Sequence, residues 1–472
     1  MISFNSIDII IILLFFASIL FIGFYTGRKT GSGANDYLLS GRKVGLFLFV
    51  LTNVATWYGG ILGVGEFTYR YGIVSWFTQG FPYYIFAFLF AIFFAKKIRQ
   101  ASLFTIPDKL TQVYGKRVGL LSAIIVFVLV SPAPYLLMAA NLLFLLFGID
   151  MLPALIISLI LSMAYLIKGG FRANIYADAL QFFVMFAGFI LIIIFSTASI
   201  GGYSFLSQNL PEAHLTLTGG TSVTFVIVWF FIALWTFADP GFHQRCYAAK
   251  SGNVAMKGII ISILLWVIFD FLTTSTGLFS RAVLPGLQNP VLAFPLYAEK
   301  VLPVGAKGIF YAALFATILS TLNSFLFLSA TTIGRDFIYQ GIVPLNGTKP
   351  DFSKVGDESK LKQYTVIGLF ISGIPAIILS LLVPSVIEIW YTIGSLFIPA
   401  IIFPVIGAYY PKLSAGNRII FIEMITAFIS STVWFFVRSE FANIPVLNEI
   451  EPMLVGLFFS FGIHLAGMFS KD

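Results

Sequence analysis

Charged side chains are scarce in this sequence of 472 residues, which has 28 Lys and Arg and 20 Asp and Glu, or 10% in all. A soluble protein typically carries about 25% charged residues, so the composition excludes a chain that folds only into water-exposed domains. Hydrophobic residues make up 59% of the sequence, and 53 of them are phenylalanines. The appropriate structural unit is therefore the membrane span of about 20 apolar residues.

Several motifs of soluble and enzymatic chemistry are also missing. The single cysteine, Cys246, excludes an intrachain disulfide. The sequence has no GxxxxGK[ST] motif, no G-x-S-x-G motif and no zinc-ligand spacing among its three histidines. These absences argue against an ATP-driven pump within this chain, and we expect no catalytic residue. The net charge is +8, but the basic residues are not arranged as a basic face with stacking aromatics, so we predict no nucleic-acid partner. We also predict no obligate protein partner.

Apolar runs separated by Gly, Pro or charged residues predict about thirteen transmembrane helices. They lie near residues 7–25, 45–69, 76–95, 118–147, 152–167, 174–200, 223–244, 258–280, 308–334, 363–385, 387–409, 419–437 and 451–470. With the N-terminus outside and the C-terminus in the cytoplasm, all but five of the 28 basic residues fall in cytoplasmic loops. The exceptions are Arg70, Arg281, Lys300, Lys307 and Arg438. The sequence thus predicts an all-α, multi-pass protein of the plasma (inner) membrane, surrounded by lipid bilayer.

Two of the predicted spans contain helix-breaking residues. The second span has four glycines within seven positions, from Gly59 to Gly65, and the seventh contains Asp239-Pro240-Gly241. These spans run in opposite directions, as in inverted-repeat transporters whose broken helices meet at a midplane site. Alternatively, the glycines permit close helix packing and Pro240 marks a helix end. The paired spacing favours a site.

A row of hydroxyl side chains lies within the ninth span. Thr317, Ser320, Thr321 and Ser324 are spaced i, i+3, i+4, i+7 and share one helix face. Such neutral oxygens suit a small monovalent cation, whereas divalent ions recruit more carboxylates. The alternative is that these side chains bond back to their own helix or allow close packing.

Several acids lie near the ends of predicted spans, but Asp178 and Asp270 lie further inside, where an ionised side chain is costly and therefore a functional candidate. Asp270 is at the centre of the eighth span, and it is a candidate partner for a cationic substrate, a proton, an ion or a buried hydroxyl. Asp178 lies about one turn inside the sixth span, and Arg172 is an alternative, structural partner for it.

Four motifs occur in a fixed order along the chain. They are residues 36–42 (DYLLSGR), residues 169–173 (GGFRA) with Asp178 and Gln181, Gln244-Arg245 with residues 248–251 (AAKS), and residues 320–324 (STLNS) with Arg335-Asp336. Together they resemble the sodium/solute symporter family, which includes sodium-coupled proline, pantothenate and sugar transporters. Ala177 replaces a threonine of the second motif. The resemblance covers about residues 8–437.

The resemblance implies a LeuT-type fold with a 5+5 inverted-repeat core of ten helices. Residues 45–200 would form the first repeat and residues 201–410 the second. Residues 1–44 would add an N-terminal helix and a cytoplasmic loop, and residues 411–472 two C-terminal helices.

The resemblance also implies sodium as the coupling ion, with no other cofactor. Its main site would use the carbonyls of Asn53, Thr56 and Thr317 and the hydroxyls of Ser320 and Thr321. An alignment shifted by two residues would choose Ala55. A possible second sodium site would be formed by the residues that match the family's second ion position, which are Asp178, Asn323 and Ser324.

The solute is less constrained. In the sugar transporters of the family, polar side chains that bind the sugar stand where this chain has Gly60 and Trp266. This difference argues against a sugar as the solute. The candidate pocket residues are Trp57, Tyr58, Gly60, Tyr83, Tyr84, Trp235, Trp266 and Asp270, and ordinary packing is the alternative for each aromatic one. We therefore expect sodium-coupled import of a small polar organic solute, such as an amino acid, a carboxylate or a vitamin-like molecule, by alternating access. The alternatives are a transporter-like solute sensor and a proton-coupled symporter that uses Asp270.

Overall fold

The structure is a computed structural model that describes residues 3–31, 33–342, 355–441, 443, 447 and 450–470. In that part of the chain 11 helices are long and apolar enough to cross a membrane, and one bent helix pair would make 12. The helices are Ser6–Gly27, Leu46–Tyr71, Val74–Ala101, Lys116–Phe147, Met151–Ile200, Val223–Ala248, Gly252–Val283, Ala306–Ile342, Lys360–Leu382, Asn417–Phe441 and Pro452–Phe469. The bent pair is Val386–Ala400 with Ile402–Tyr409, at 43°. The predicted all-helical membrane architecture is confirmed.

Short helices occupy the connections. They are Ala34–Leu39, Ser40–Arg42, Ile106–Tyr114, Gly202–Asn209, Glu212–Leu215, Pro290–Leu292, Ala293–Val301 and Pro411–Leu413. Ile106–Tyr114 begins with a capping box in which the Thr105 side chain accepts from the Asp108 backbone N–H. Such caps satisfy the free N–H groups of a helix start. Among the described residues the β structure is limited to one isolated bridge, between Val44 and Ala249.

The helix Met151–Ile200 has 50 residues, about 75 Å at 1.5 Å per residue, which is far longer than one membrane span. It contains a break at Gly170, where φ is 54° and ψ is −144°, a region essentially limited to glycine. The sequence predicted two spans joined by a loop at residues 168–173. The structure instead turns the chain at a single residue, because glycine has no Cβ to oppose this conformation.

The two predicted helix interruptions are both present. In the first broken helix, Leu46–Tyr71, the α-helix gives way to a 3-10 turn at Thr56–Gly60. In the second broken helix, Val223–Ala248, a 3-10 segment at Ala233–Ala238 is followed by Asp239 in an extended conformation. The Asp239 Oδ1 accepts a hydrogen bond from the Phe242 N–H at 2.9 Å and so caps the last part of that helix. Breaks of this kind in a membrane are tolerated where the backbone is buried in protein or lines a cavity.

A buried helix lies at the centre of the fold. We call Ala306–Thr331 the hydroxyl helix; nearly all of its residues are buried, and it packs on Met151–Ile200 and on the 3-10 turn of the first broken helix. We call Gly252–Val283 the carboxylate helix, because it carries Asp270. It packs on the first broken helix on both sides of the turn.

Two basic residues that the topology assigned to cytoplasmic loops are buried instead. Arg245 and Arg335 are each 3% exposed. Arg335 pairs with Asp108, and its Nη1 lies 3.3 Å from the Asp336 Oδ1. These guanidinium groups compensate buried carboxylates, so they do not act as solvated orientation signals.

The geometry at Gly170 generates a stability prediction. In Gly170→Ala, the new Cβ would lie about 2.4 Å from the Tyr37 carbonyl oxygen in a conformation that L-residues avoid, and we expect a loss of about 2–3 kcal/mol. Gly148→Ala is the matched control, because Gly148 also has positive φ but open space around it, and should lose only about 1 kcal/mol. Thermal unfolding of the purified proteins measures both. Equal losses would contradict the steric argument.

Candidate functional site

The hydroxyl helix contacts the first broken helix at its 3-10 turn. The Ser320 Oγ donates a hydrogen bond to the Ala55 carbonyl at 2.7 Å, and the Thr321 Oγ1 donates to the Thr56 carbonyl at 2.7 Å. The Thr317 carbonyl lies 2.9 Å from the Ser320 Oγ and 3.4 Å from the Thr321 Oγ1. Two helices thus contribute hydroxyl and carbonyl oxygens to one buried cluster.

The chemistry of this oxygen cluster suits a monovalent cation. It has three carbonyl groups and only two hydroxyl protons, so acceptor lone pairs outnumber donors. Uncharged oxygens are suitable ligands for hard cations, and a divalent ion would be expected to recruit carboxylates as well. Among the described residues no group of three or more His, Cys, Asp or Glu side chains could hold a metal ion.

Gly59 explains how the two helices approach so closely. A Cβ at this position would lie 2.1 Å from the Cβ and 2.2 Å from the Oγ1 of Thr321. Any side chain here would therefore push Thr321 away from the Thr56 carbonyl. The glycine run of the second predicted span thus has a specific structural reason at Gly59.

The structure brings together four of the five residues of the predicted main ion site, namely Thr56, Thr317, Ser320 and Thr321. The remaining one, Asn53, is among the residues that line the neighbouring cavity. The carbonyl that the Ser320 hydroxyl contacts is that of Ala55, the residue chosen by the shifted alignment.

A second polar cluster surrounds Asp178. The Nη2 atom of Arg245 lies 3.7 Å from the Asp178 Oδ2, and it donates to the Thr52 Oγ1 and to the Ser324 Oγ, both at 3.2 Å. The Asn174 Nδ2 also donates to the Ser324 Oγ, at 2.7 Å. A guanidinium therefore stands among the residues predicted as a second ion site. The predicted alternative partner of Asp178, Arg172, is instead 3.6 Å from Asp36.

Of two further residues, Asn323 lies outside the Asp178 cluster and Thr56 belongs to both clusters. Asn323, predicted beside Asp178, donates its amide to the Tyr165 hydroxyl. Thr56 belongs to both clusters, because its carbonyl accepts from Thr321 and its hydroxyl accepts from Arg245. The sequence reasoning missed Arg245 as a buried residue; the available signal was an arginine one turn after the Pro-Gly break.

A cavity of about 240 Å³ lies beside both clusters. It is lined by parts of both broken helices and by residues of the carboxylate helix. Of the predicted pocket residues, six line it: Trp57, Tyr58, Gly60, Tyr83, Trp235 and Asp270. The other two support the lining from behind, since the Trp266 ring stacks on Trp57 at 4.8 Å between centroids and the Tyr84 hydroxyl donates to the Asp270 Oδ2.

The cavity has further lining residues that the sequence did not indicate. They include Gln79, Tyr135, Asp239, Phe242, Trp390 and Tyr391. Trp390 packs directly on the glycine run, because a Cβ at Gly60 would lie 2.1 Å from its ring. Trp390 is on a helix distant in sequence, so only tertiary packing identifies it.

The model of the sodium:solute symporter family matches residues 37–415. The chain belongs to this family. The family resemblance inferred from the four motifs is therefore confirmed, and the chain is a multi-pass integral membrane protein.

Curated relatives are similar over most of the chain. The sodium/pantothenate symporter of Escherichia coli (strain K12) is 28% identical over 412 residues, which is 83% of each chain. The human high affinity choline transporter 1 is 24% identical, over 85% of this chain and 72% of its own. The sodium/glucose cotransporter of Vibrio parahaemolyticus is 25% identical, over 73% and 70%.

Solved structures share the fold. A Na+-coupled sialic acid symporter in a substrate-bound outward-open state matches with a TM-score of 0.82 and 17% identity, over 99% of this chain and 98% of its own. MHP1, a nucleobase-cation-symport-1 family transporter, matches with a TM-score of 0.55 and 13% identity, over 92% and 93%. At such identities the similarity shows the fold alone, and that fold is the transporter fold predicted from the motifs.

The ion pair of Asp178 and Arg245 generates a second stability prediction. Asp178→Asn leaves a buried guanidinium without its carboxylate, and we expect a loss of about 3–5 kcal/mol. The double variant Asp178→Asn, Arg245→Gln removes both charges and should recover part of this loss. Thermal unfolding in detergent measures the difference.

A matched control is the ion pair of Arg70 with Glu66, in which the Arg70 side chain is 46% exposed. Arg70→Gln should cost less than about 1 kcal/mol. An Asp178→Asn variant as stable as the wild type, or a double variant no better than the single one, would show that the buried charges are not paired as described.

Proposed function

We propose that this chain is a sodium-coupled symporter that imports a small polar organic solute by alternating access. The observation that carries the proposal is the oxygen cluster formed by Ser320, Thr321 and the 3-10 turn of the first broken helix. A sodium ion at this position would link two helices. If it binds one conformation more tightly than the other, it shifts the equilibrium towards that conformation and is thereby coupled to the solute.

We propose that the ion is held by the hydroxyls of Ser320 and Thr321 and by the carbonyls of Ala55, Thr56 and Thr317. The hydroxyls currently donate to those carbonyls. On ion binding their protons would rotate outward and their lone pairs would face the cation, as lone pairs do for any hard cation. Asn53 would then serve the solute cavity.

For the transmembrane topology, we propose thirteen spans with the N-terminus outside and the C-terminus in the cytoplasm. The Gly170 break supports dividing Met151–Ile200 into two spans, and the bent pair then counts as one. The excess of Lys and Arg in the alternate loops supports the orientation, although Arg245 and Arg335 no longer contribute to it.

Within this topology we propose the 5+5 inverted-repeat core, with residues 45–200 and 201–410 as its halves. Residues 1–44 and 411–472 would lie outside the core. The presence of one 3-10 interruption near the start of each half supports the assignment, because such repeats place paired broken helices at the binding site.

We further propose one sodium ion per transport cycle. Asp178, Asn323 and Ser324 stay a prediction as a second site, but Arg245 already places a positive charge among them. A second ion there would have to displace the guanidinium from Asp178.

The solute would occupy the cavity of about 240 Å³. Its lining at Gly60 and the apolar Trp266 behind it support a solute other than a sugar. The named relatives transport different solutes, so the substrate depends on the side chains of this cavity.

The ion site generates a functional prediction. In Ser320→Ala, Thr321→Ala, two of the proposed sodium ligands are missing, and we expect the sodium concentration for half-maximal uptake to rise by at least about tenfold, or 1.4 kcal/mol. The measurement is solute uptake into proteoliposomes at varied external sodium.

The matched control is Thr331→Ala on the same helix. The Thr331 Oγ1 donates to the Phe327 carbonyl one turn earlier, at 2.8 Å, and not to the first broken helix. Its sodium dependence should equal that of the wild type. Unchanged sodium dependence in the double variant would refute the ion-site assignment.

The proposed stoichiometry is tested separately. Because Arg245 occupies the second cluster, uptake by the wild type should depend on sodium with a Hill coefficient near 1, as expected of a single binding site. A coefficient approaching 2 would indicate that a second ion displaces the guanidinium.

A further inference from the structure

The cavity beside the ion site is lined largely by aromatic side chains. Trp57, Tyr83, Tyr135, Trp235, Phe242 and Trp390 all contribute to it. The faces of aromatic rings carry partial negative charge and attract cations, and cages of such rings recognise quaternary ammonium groups. Aromatic lining alone also accommodates neutral apolar groups, so the charges of the cavity decide between the two.

Trp57 is held rigidly at the centre of this lining. Its ring is stacked on Trp266 at 4.8 Å, and it makes edge contacts with Tyr83 at 4.9 Å and with Phe242 at 5.5 Å between centroids. A ring fixed by three others binds a ligand with little loss of side-chain entropy. The lining is therefore organised before a solute enters.

The charged groups of the lining are two acids and one base. Among the described residues that line the cavity, they are Asp239, Asp270 and Arg245. The charge of Arg245 is balanced by Asp178, 3.7 Å away and outside the lining. The cavity therefore has an excess of negative charge from Asp239 and Asp270.

In the described part of the chain, Asp270 accepts no hydrogen bond from a basic side chain. Its Oδ2 accepts from the Tyr84 hydroxyl, and the side chain is 9% exposed. Asp239, by contrast, accepts from the Phe242 N–H at the start of a helix, where the helix dipole favours a negative charge. In this low-dielectric surrounding a positive charge placed in the cavity would be attracted strongly to Asp270.

Both carboxylates accept a hydrogen bond on one oxygen and keep further lone pairs, so they attract any cation. The aromatic lining makes the distinction, because ring faces bind methylated ammonium groups without needing N–H donors. A methylated ammonium, which has few or no N–H groups and a large apolar surface, matches rings and carboxylates together. A carboxylate-bearing solute would face two acids and an arginine that is already paired.

We propose that the transported solute is a small organic cation with a quaternary or highly methylated ammonium group, bound against Trp57 and its neighbouring rings and compensated by Asp270. This inference rests on the proposed symporter function and narrows its substrate class. The buried Asn53 Nδ2 has no hydrogen-bond partner among the described residues, and Asn53 lines the cavity; this amide would donate to an oxygen at the other end of the solute.

The test compares two ligands of the same shape. Choline carries the quaternary ammonium, and 3,3-dimethyl-1-butanol replaces its nitrogen by carbon and has no charge. Binding of each to the purified full chain is measured by titration calorimetry in sodium and in potassium buffer. In sodium buffer, we expect choline to bind at least about tenfold more tightly than 3,3-dimethyl-1-butanol. Equal affinity of the two ligands, or tighter binding of the neutral one, would overturn the proposal.

Two variants locate the interaction. Asp270→Asn keeps the size and the contact with Tyr84 but removes the charge, so the preference for choline over 3,3-dimethyl-1-butanol should disappear. Trp57→Leu should weaken choline binding by about tenfold. Glu66→Gln is the matched control, because Glu66 lies on the same broken helix and pairs with Arg70 away from the cavity. If either variant fails to fold, the wild-type comparison of the two ligands still decides.

Pantothenate and glucose distinguish failure of this inference from failure of the proposed function. If a sodium gradient drives uptake of either one while choline does not bind, the cationic class is refuted and the symporter proposal stands. If choline binds equally in sodium and in potassium and no sodium gradient drives its accumulation, the pocket assignment holds and the sodium coupling is refuted.

Discussion

The interaction on which the rest of the site depends is the contact between the hydroxyl helix and the 3-10 turn at Thr56–Gly60. After Ala55 the α-helix changes to a 3-10 turn, and irregular backbone in a membrane interior is tolerated only where it is buried in protein or lines a cavity. Each backbone carbonyl has two lone pairs, and the hydroxyls of Ser320 and Thr321 donate to the carbonyls of Ala55 and Thr56. Gly59 leaves the space that lets them approach. The same hydrogen bonds that join the hydroxyl helix to the 3-10 turn therefore assemble a set of oxygens suited to a cation.

Buried charge in this protein is compensated locally. Arg245 is placed among Asp178, Thr52 and Ser324, and Arg335 is placed between Asp108 and Asp336. Isolated charges in a low-dielectric interior are costly, so such pairs persist only with good geometry and additional hydrogen bonds. Asp270 is the contrasting case, because a tyrosine hydroxyl is its hydrogen-bond partner and the cavity is next to it. A buried carboxylate without a basic partner, next to a cavity, is a suitable site for a ligand that carries a positive charge.

Much of the fold follows from the sequence because its signals are local. Apolar run lengths gave the helices, and Gly59-Gly60 and Asp239-Pro240 marked both interruptions. The i, i+3, i+4 spacing likewise placed Thr317, Ser320 and Thr321 on one face. The residues missed depend on contacts between distant segments. Trp390 lines the cavity with its ring against Gly60, and the buried Arg245 lies beside Asp178; local sequence shows neither contact. The sequence predicts a loop around Gly170, where the structure has a single residue with positive φ, because sequence alone does not distinguish the two.

The two candidate sites share a short stretch of chain, and this has a consequence for coupling. The Thr56 carbonyl accepts from Thr321, while the next residue, Trp57, lies in the cavity wall. An ion that fixes the position of Thr56 therefore also restricts the backbone that positions the Trp57 ring, so a solute bound against that ring has less ordering left to do. Thermodynamic linkage makes the effect reciprocal, and the solute must strengthen ion binding by the same factor. Under the proposed function, no long pathway between ion and solute is needed, because one peptide bond separates the residues that would bind them.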